Sequence, residues 1–152
     1  MTIFAALTVT SATCANGPPV PEPGDLIALV RTTVLAADQG NKTGDYEALA
    51  QLGTASFQKA NPASVLNVRF AKLRATGIDL KNVATMVPQT ARAPTLDVNG
   101  LLRILGYFEF PGQQVVYDLL YDYDERGPAW RLAAVSIEPR ALPPQPELMQ
   151  PQ

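Results

Sequence analysis

From Asp25 onward, apolar residues recur at helical spacing. Leu26, Val30 and Val34 fall on one face, and Asp25 is placed to cap the helix that carries them. That helix is expected to end near Gly40 and Asn41. A second begins at Thr43 or Asp45 and carries Tyr46, Leu49 and Leu52. A third has the clearest punctuation: Asn61 as N-cap, Pro62 in the first turn, Leu66, Phe70 and Leu73 on one face, and Gly77 as the left-handed residue past the end.

Beyond residue 80 the period shortens to two. A strand is predicted near Val83–Val87, then longer ones over Leu101–Phe110, Gln113–Tyr123 and Trp130–Glu138, joined by hairpin turns at Pro111-Gly112 and Asp124–Ala129. Pairing Glu109 with Gln114, and Tyr123 with Trp130, sorts the side chains onto two faces. One face holds Leu102, Ile104, Phe108, Val115, Tyr117, Leu119, Tyr121, Tyr123, Trp130, Leu132, Ala134 and Ser136, and is apolar enough to need helices over it. Gly106 falls opposite Tyr117 on this face, leaving room for a ring. The other face holds Leu105, Tyr107, Val116, Leu120, Ala133, Val135 and Ile137 among Arg103, Glu109, Asp118, Asp122 and Arg131, with Asp122 opposite Arg131 and Asp118 diagonal to Arg103. The expected fold class is α+β: three N-terminal helices packed on an antiparallel sheet of about four strands.

Composition narrows the chemistry. The chain has 152 residues, one cysteine and no histidine, which removes Ser/His/Asp triads, Cys/His pairs and histidine metal ligands together. The formal charge is −2, with no basic run interleaved with aromatics, so the electrostatic footprint of a nucleic-acid binder is missing. No Gly-rich phosphate loop is present, and no cofactor motif. Asp122-Tyr123-Asp124-Glu125-Arg126-Gly127 starts like a calcium loop, but the position of the bidentate ligand falls on Ala133, so an acidic hairpin turn is the better reading and no metal site is expected. Asn41-Lys42-Thr43 fits a glycosylation sequon, though a loop before a helix cap explains it better.

Nine of the 14 prolines lie in two flanks, Pro18–Pro23 and Pro139–Pro151. The chain therefore reads as a signal peptide over residues 1–15, a Pro-rich linker over 16–23, a folded domain over 24–138 and a disordered Pro/Gln-rich tail over 139–152. The apolar run Ile3–Val9, followed by small residues, has the shape of a secretory segment, and it is far shorter than the roughly 20 residues of a membrane-spanning helix. Export to a periplasmic or extracellular compartment is expected. The alternatives are a lipid anchor through Cys14 and a plain N-terminal tail.

Helices followed by a long antiparallel sheet, with Thr43-Gly44-Asp45-Tyr46 opening the second helix and Tyr117-Asp118-Leu119-Leu120-Tyr121 then Trp130-Arg131-Leu132 closing the sheet, resembles the nuclear-transport-factor-2-like (cystatin-like α+β cone) superfamily over roughly Asp25–Glu138. It looks most like the small secreted bacterial members. The resemblance implies a conical sheet around helices, a pocket at the open end and a homodimer through the outer sheet face. It leaves function open, because the superfamily holds transport adaptors, polyketide cyclases, ketosteroid isomerase, dehydratases and binding modules. Dehydratase members use a histidine, which is absent here. The isomerase pattern pairs a tyrosine with a carboxylate in an apolar site, whereas Asp118 and Asp122 fall on the opposite face from the tyrosines.

Tyr117, Tyr121, Trp130 and Phe108 on the apolar face, with Tyr46 from the second helix, either fill a core under the helices or line a pocket for a small apolar ligand. No catalytic residue is assigned. The expected function is a secreted, non-catalytic or small-apolar-ligand-binding module. The alternative is a cofactor-free isomerase or cyclase in which Tyr117 or Tyr121 donates to an oxyanion and a carboxylate acts as base.

Overall fold

The structure, a computed structural model, describes residues 17–143. The signal peptide read over residues 1–15, Cys14 and the tail from residue 144 onward lie outside the described residues. The first helix, α1 (Pro23–Thr43), begins on Pro23, whose missing N–H is no loss in a first turn. It ends where Gly44 adopts φ 75° and its N–H reaches the Gly40 carbonyl at 2.8 Å. The helix is therefore longer at both ends than expected. Glu22, not Asp25, is the N-cap, and Asn41–Thr43 remain helical because the left-handed turn falls at Gly44. Gly40 serves a different purpose: a Cβ there would run into the Tyr46 ring, which lies flat against the helix.

Four short helices follow: α2 (Glu47–Gln51), α3 (Ala55–Ala60), α4 (Ala63–Arg69) and α5 (Ala71–Ala75). The pattern on the sequence missed α3, which Thr54 caps by accepting the Phe57 N–H at 3.1 Å. The single third helix is corrected to two, broken at Phe70, and Asn61 is not its cap. Asn61 instead closes α3, its amide donating to the Phe57 carbonyl at 2.9 Å, and Pro62 stands before α4. The face predicted there holds, since Leu66, Phe70 and Leu73 are all buried, and Gly77 has φ 68°.

The strand expected over Val83–Val87 is corrected to a 3₁₀ turn, Leu80–Ala84, capped by Asp79 on the Lys81 N–H. Leu80 and Val83 are its buried residues, the i, i+3 spacing of a 3₁₀ turn and not the alternate spacing of a strand. The sheet is antiparallel, not closed, and has five strands: β1 (Gln89–Thr90), β2 (Thr95–Leu96), β3 (Leu102–Phe110), β4 (Gln113–Asp124) and β5 (Ala129–Ala141). The short β1 and β2 both pair with β3, and neither was visible as a period. β5 continues through Pro139 beyond the expected end at Glu138, which an edge strand tolerates because one side of it makes no ladder.

Both hairpin registers match expectation: Glu109 pairs with Gln114, Gly106 with Tyr117, and Tyr123 with Trp130. One difference matters for everything on the sheet's faces. Leu120 pairs with Ala134 while Tyr121 pairs with Leu132, so Ala133 is an extra residue in β5 and the strand carries a bulge. Past it the alternation reverses. Val135 (3 % exposed) and Ile137 (2 % exposed) turn into the core, and Ala134 and Ser136 turn outward. Val135 and Ile137 are thus removed from the outer face, which retains Leu105, Tyr107, Val116 and Leu120 among its charges.

The free side of β5 is covered early in the strand. The Leu132 N–H donates to the Leu52 carbonyl at 2.8 Å, the Thr54 N–H donates to the Leu132 carbonyl at 2.9 Å, and Arg69 Nη1 donates to the Val135 carbonyl at 3.2 Å. This blunts an edge that would otherwise template another strand. It also places Leu52, at the end of α2, beside the turn between β4 and β5. The core between helices and sheet includes Phe57, Phe70, Phe108, Tyr117 and Leu119, each of these side chains stabilising the fold by about 1.5–3 kcal/mol relative to exposure.

Candidate functional site

The residues proposed from the sequence separate into three places. Phe108 and Tyr117 are fully buried under the helices, ring centroids 5.5 Å apart at an interplanar angle of 52°. The Tyr117 phenol passes over Gly106 and donates to the Gln89 carbonyl at 3.2 Å. Burial pushes its pKa up to about 12, so it is a neutral donor with its proton already placed. These two are core.

Tyr46 forms a second, separate group. Its ring stacks on Phe70 with centroids 5.8 Å apart, its hydroxyl donates to Asn41 Oδ1 at 2.7 Å, and it accepts from Arg74 Nη1 at 2.9 Å. Asn41 is thus a helical residue engaged with Tyr46, which corrects the loop reading of the sequon. Close by, a cleft of about 410 Å³ is lined by Asp38, Lys42, Arg74 and Asp79, with Lys42 Nζ 2.6 Å from Asp38 Oδ2 and 3.0 Å from Asp79 Oδ1. The hydrogen bonds that Lys42 donates to Asp38 and Asp79 raise the Lys42 pKa, and the one it donates to Asp79 lowers that of Asp79. Lys42, Asp38 and Asp79 pair with one another, while Arg74 donates to the Tyr46 hydroxyl and the Asn67 carbonyl.

Tyr121 and Trp130 come together in the third place. The last turns of β4 and the first of β5 face the N-terminal half of α1 across an open groove of about 480 Å³. Tyr121, Tyr123 and Trp130 line it from the sheet, Leu29 and Thr33 from α1, and Leu52 from the end of α2. Pro18, Pro19 and Pro21 form a further wall. Tyr123 and Trp130 meet edge to face, with centroids 5.1 Å apart at 64°. Asp25 and Arg131 are the charged residues that line the groove.

The Tyr121 hydroxyl sits 2.7 Å from Thr33 Oγ1 and 3.1 Å from the Leu29 carbonyl, which can only accept. The phenol proton therefore points to Leu29, and the Thr33 hydroxyl donates to the phenol oxygen. Burial raises the Tyr121 pKa strongly, partly offset by the Thr33 hydrogen bond. Its hydroxyl pins sheet to helix, and its side chain, only 2 % exposed, belongs to the core that backs the groove.

An alkaline titration should read this directly. A group whose folded pKa lies above the unfolded value of 10.0 contributes stability that is complete below pH 10 and lost as pH rises further. Phenolate absorbance should therefore show Tyr117 and Tyr121 among the five tyrosines ionising late, in step with unfolding, and Tyr117→Phe should remove one late phenol. Ionisation of all five below pH 11 without loss of structure would contradict the buried placement.

Leu29, Thr33 and Leu52 were not assignable to a site from the sequence, because nothing marks them beyond a helical spacing shared with plain core positions. The proline segment was not assignable for a different reason, since its composition is that of a linker. In the acidic turn Asp124 Oδ1 accepts the Arg126 N–H at 3.0 Å, and among the described residues no group of three or more His, Cys, Asp or Glu is placed to hold an ion. Among the same residues no helix is long and apolar enough to cross a membrane. Comparison with known protein families, curated proteins and solved structures returns no match.

Proposed function

We propose that the chain is a small, exported, non-catalytic binding module of the nuclear-transport-factor-2-like kind, and that the groove between α1 and the β4–β5 turn accepts a small apolar ligand. The observation that carries this reading is the convergence of Tyr121, Tyr123 and Trp130 with Leu29 and Leu52 around an open space of about 480 Å³, within the range of small-molecule sites. The order of helices and sheet supports the family, and the apolar run Ile3–Val9 supports export. Leu105, Tyr107, Val116 and Leu120 support a homodimer through the outer face, with Arg103 and Asp118, bonded at 2.9 Å, available to pair across a two-fold axis. That support is smaller than the sequence suggested, since Val135 and Ile137 point inward.

Asp25 favours the enzymatic alternative, because it is a carboxylate at the groove. That mechanism needs a free hydroxyl to meet an oxyanion, and the Tyr121 proton is held by Leu29. Binding of 1-anilinonaphthalene-8-sulfonate tests the proposal. The dye should bind saturably and change the fluorescence of Trp130, the single tryptophan. Ala28→Arg, on an exposed helix position lining the groove, should weaken binding roughly 10-fold or more while leaving the fold intact. Equal dye binding by the variant would place the ligand elsewhere.

A further inference from the structure

The wall segment Pro18-Pro19-Val20-Pro21-Glu22 has a twin in the chain: Pro143-Pro144-Gln145-Pro146-Glu147 repeats the pattern Pro-Pro-x-Pro-Glu. In the first copy of the pattern, Glu22 has φ −61° and ψ 155°, the polyproline II region, and residues 18–22 are neither helix nor strand until Pro23 starts α1. Its prolines lie along the groove that Tyr121, Tyr123 and Trp130 line. Aromatic-lined grooves dock such segments well because a polyproline II strand is extended beforehand and loses little entropy on binding.

We propose that the open part of the groove docks Pro143–Glu147 of a second copy of the chain, so that copies associate tail into groove. This rests on the reading of the groove as a binding site and names its occupant. The same molecule cannot supply the tail. β5 starts at the groove with Ala129 and Trp130 and ends at Ala141, paired with Gln113 at the other end of the sheet, so its 13 residues span about 40 Å. The five residues from Ala141 to Pro146 reach about 18 Å when fully extended, which does not return them to Trp130. Charge agrees with the direction: Arg131 lines the groove, its side chain is 42 % exposed and 4.0 Å from Asp124, and it is free to turn to the Glu147 carboxylate. The two contacting surfaces differ, so the association is head to tail and builds chains or rings, unlike a two-fold dimer through the outer face.

Sedimentation and Trp130 fluorescence test this in the full-length protein. The average mass should rise with concentration, and the Pro143→Ala, Pro144→Ala, Pro146→Ala triple variant should associate roughly 10-fold more weakly or not at all. A synthetic peptide of residues 142–149, titrated into that triple variant, should change Trp130 fluorescence to saturation, and the same peptide with its prolines replaced by alanine should not. Undiminished association of the triple variant would overturn the proposal. So would complete loss of association in Leu120→Glu, because weakening an outer-face dimer leaves a tail-to-groove contact in place. A peptide that leaves Trp130 unchanged while 1-anilinonaphthalene-8-sulfonate still binds overturns the tail docking and spares the groove. If neither binds, both readings fall.

Discussion

Val135→Glu is expected to abolish or nearly abolish the folded state, while Ala134→Glu, its immediate neighbour, changes stability by no more than about 0.5 kcal/mol. Val135 is 3 % exposed and packs in the core between helices and sheet. A carboxylate there loses the apolar burial of the valine, about 1.5–3 kcal/mol, and adds the cost of an unpaired buried charge, several kcal/mol more. Against a total stability of about 5–15 kcal/mol, the sum removes most of the margin. Ala134 is exposed and opposite Leu120 on the outer face, where a glutamate meets water. Denaturant unfolding of both variants decides between the two registers of β5. Reversal of the pair, with Ala134→Glu the damaging one, would mean that the Ala133 bulge does not exist.

Gly106→Ala is the second large effect, with an expected loss of about 3 kcal/mol, at the upper end of what overpacking a core costs. A Cβ at this position would overlap the Gln89 backbone carbonyl and the Tyr117 phenol, so β1 must move away from β3 or the Tyr117 ring must leave its place. Neither is a free side-chain adjustment, because the ring is fully buried and the carbonyl is part of a strand. The melting temperature should fall by about 10 °C. Tyr117→Phe in the Gly106→Ala background should not restore stability, because ring carbon Cζ would still lie 2.7 Å from the added methyl and the Gln89 carbonyl would still be in the way. Gly24→Ala is the control, since nothing lies within 4 Å of the added methyl, and it should leave the melting temperature unchanged within about 2 °C.

The parts of this fold written in strong alternation were legible. β3, β4 and the hairpin turns between strands follow from runs such as Leu102 to Phe110, and the diagonal Arg103–Asp118 pair, bonded at 2.9 Å, follows from the register. The bulge was not legible because Ala133 and Ala134 are both small and apolar, so the pattern reads equally well with one of them skipped. Alternation near residue 83 misled in the opposite sense, since Leu80 and Val83 satisfy a 3₁₀ turn as readily as Val83 and its neighbours satisfy a strand. Short helices such as α3, six residues long, contain fewer than two turns, too little for a period, and only the Thr54 cap betrays it. As for the site, the aromatic face was visible but its division was not. Tyr117 and Tyr121 are four residues apart on the same strand face and both are buried, yet only Tyr121 backs the groove, because it lies where α1 crosses the sheet at Leu29 and Thr33. That boundary is set by helix packing, to which the strand's own sequence is blind.

The central functional claim is that ligand enters between α1 and the β4–β5 turn and nowhere else. Amide and indole NMR shifts recorded while 1-anilinonaphthalene-8-sulfonate is added to the isotope-labelled protein test it most directly. Shifts should concentrate on the Trp130 indole N–H and on the amides of Ala28–Thr33, Tyr121–Tyr123 and Arg131. Shifts centred on Leu105, Val116 and Leu120 of the outer face, with the Trp130 indole unmoved, would contradict it.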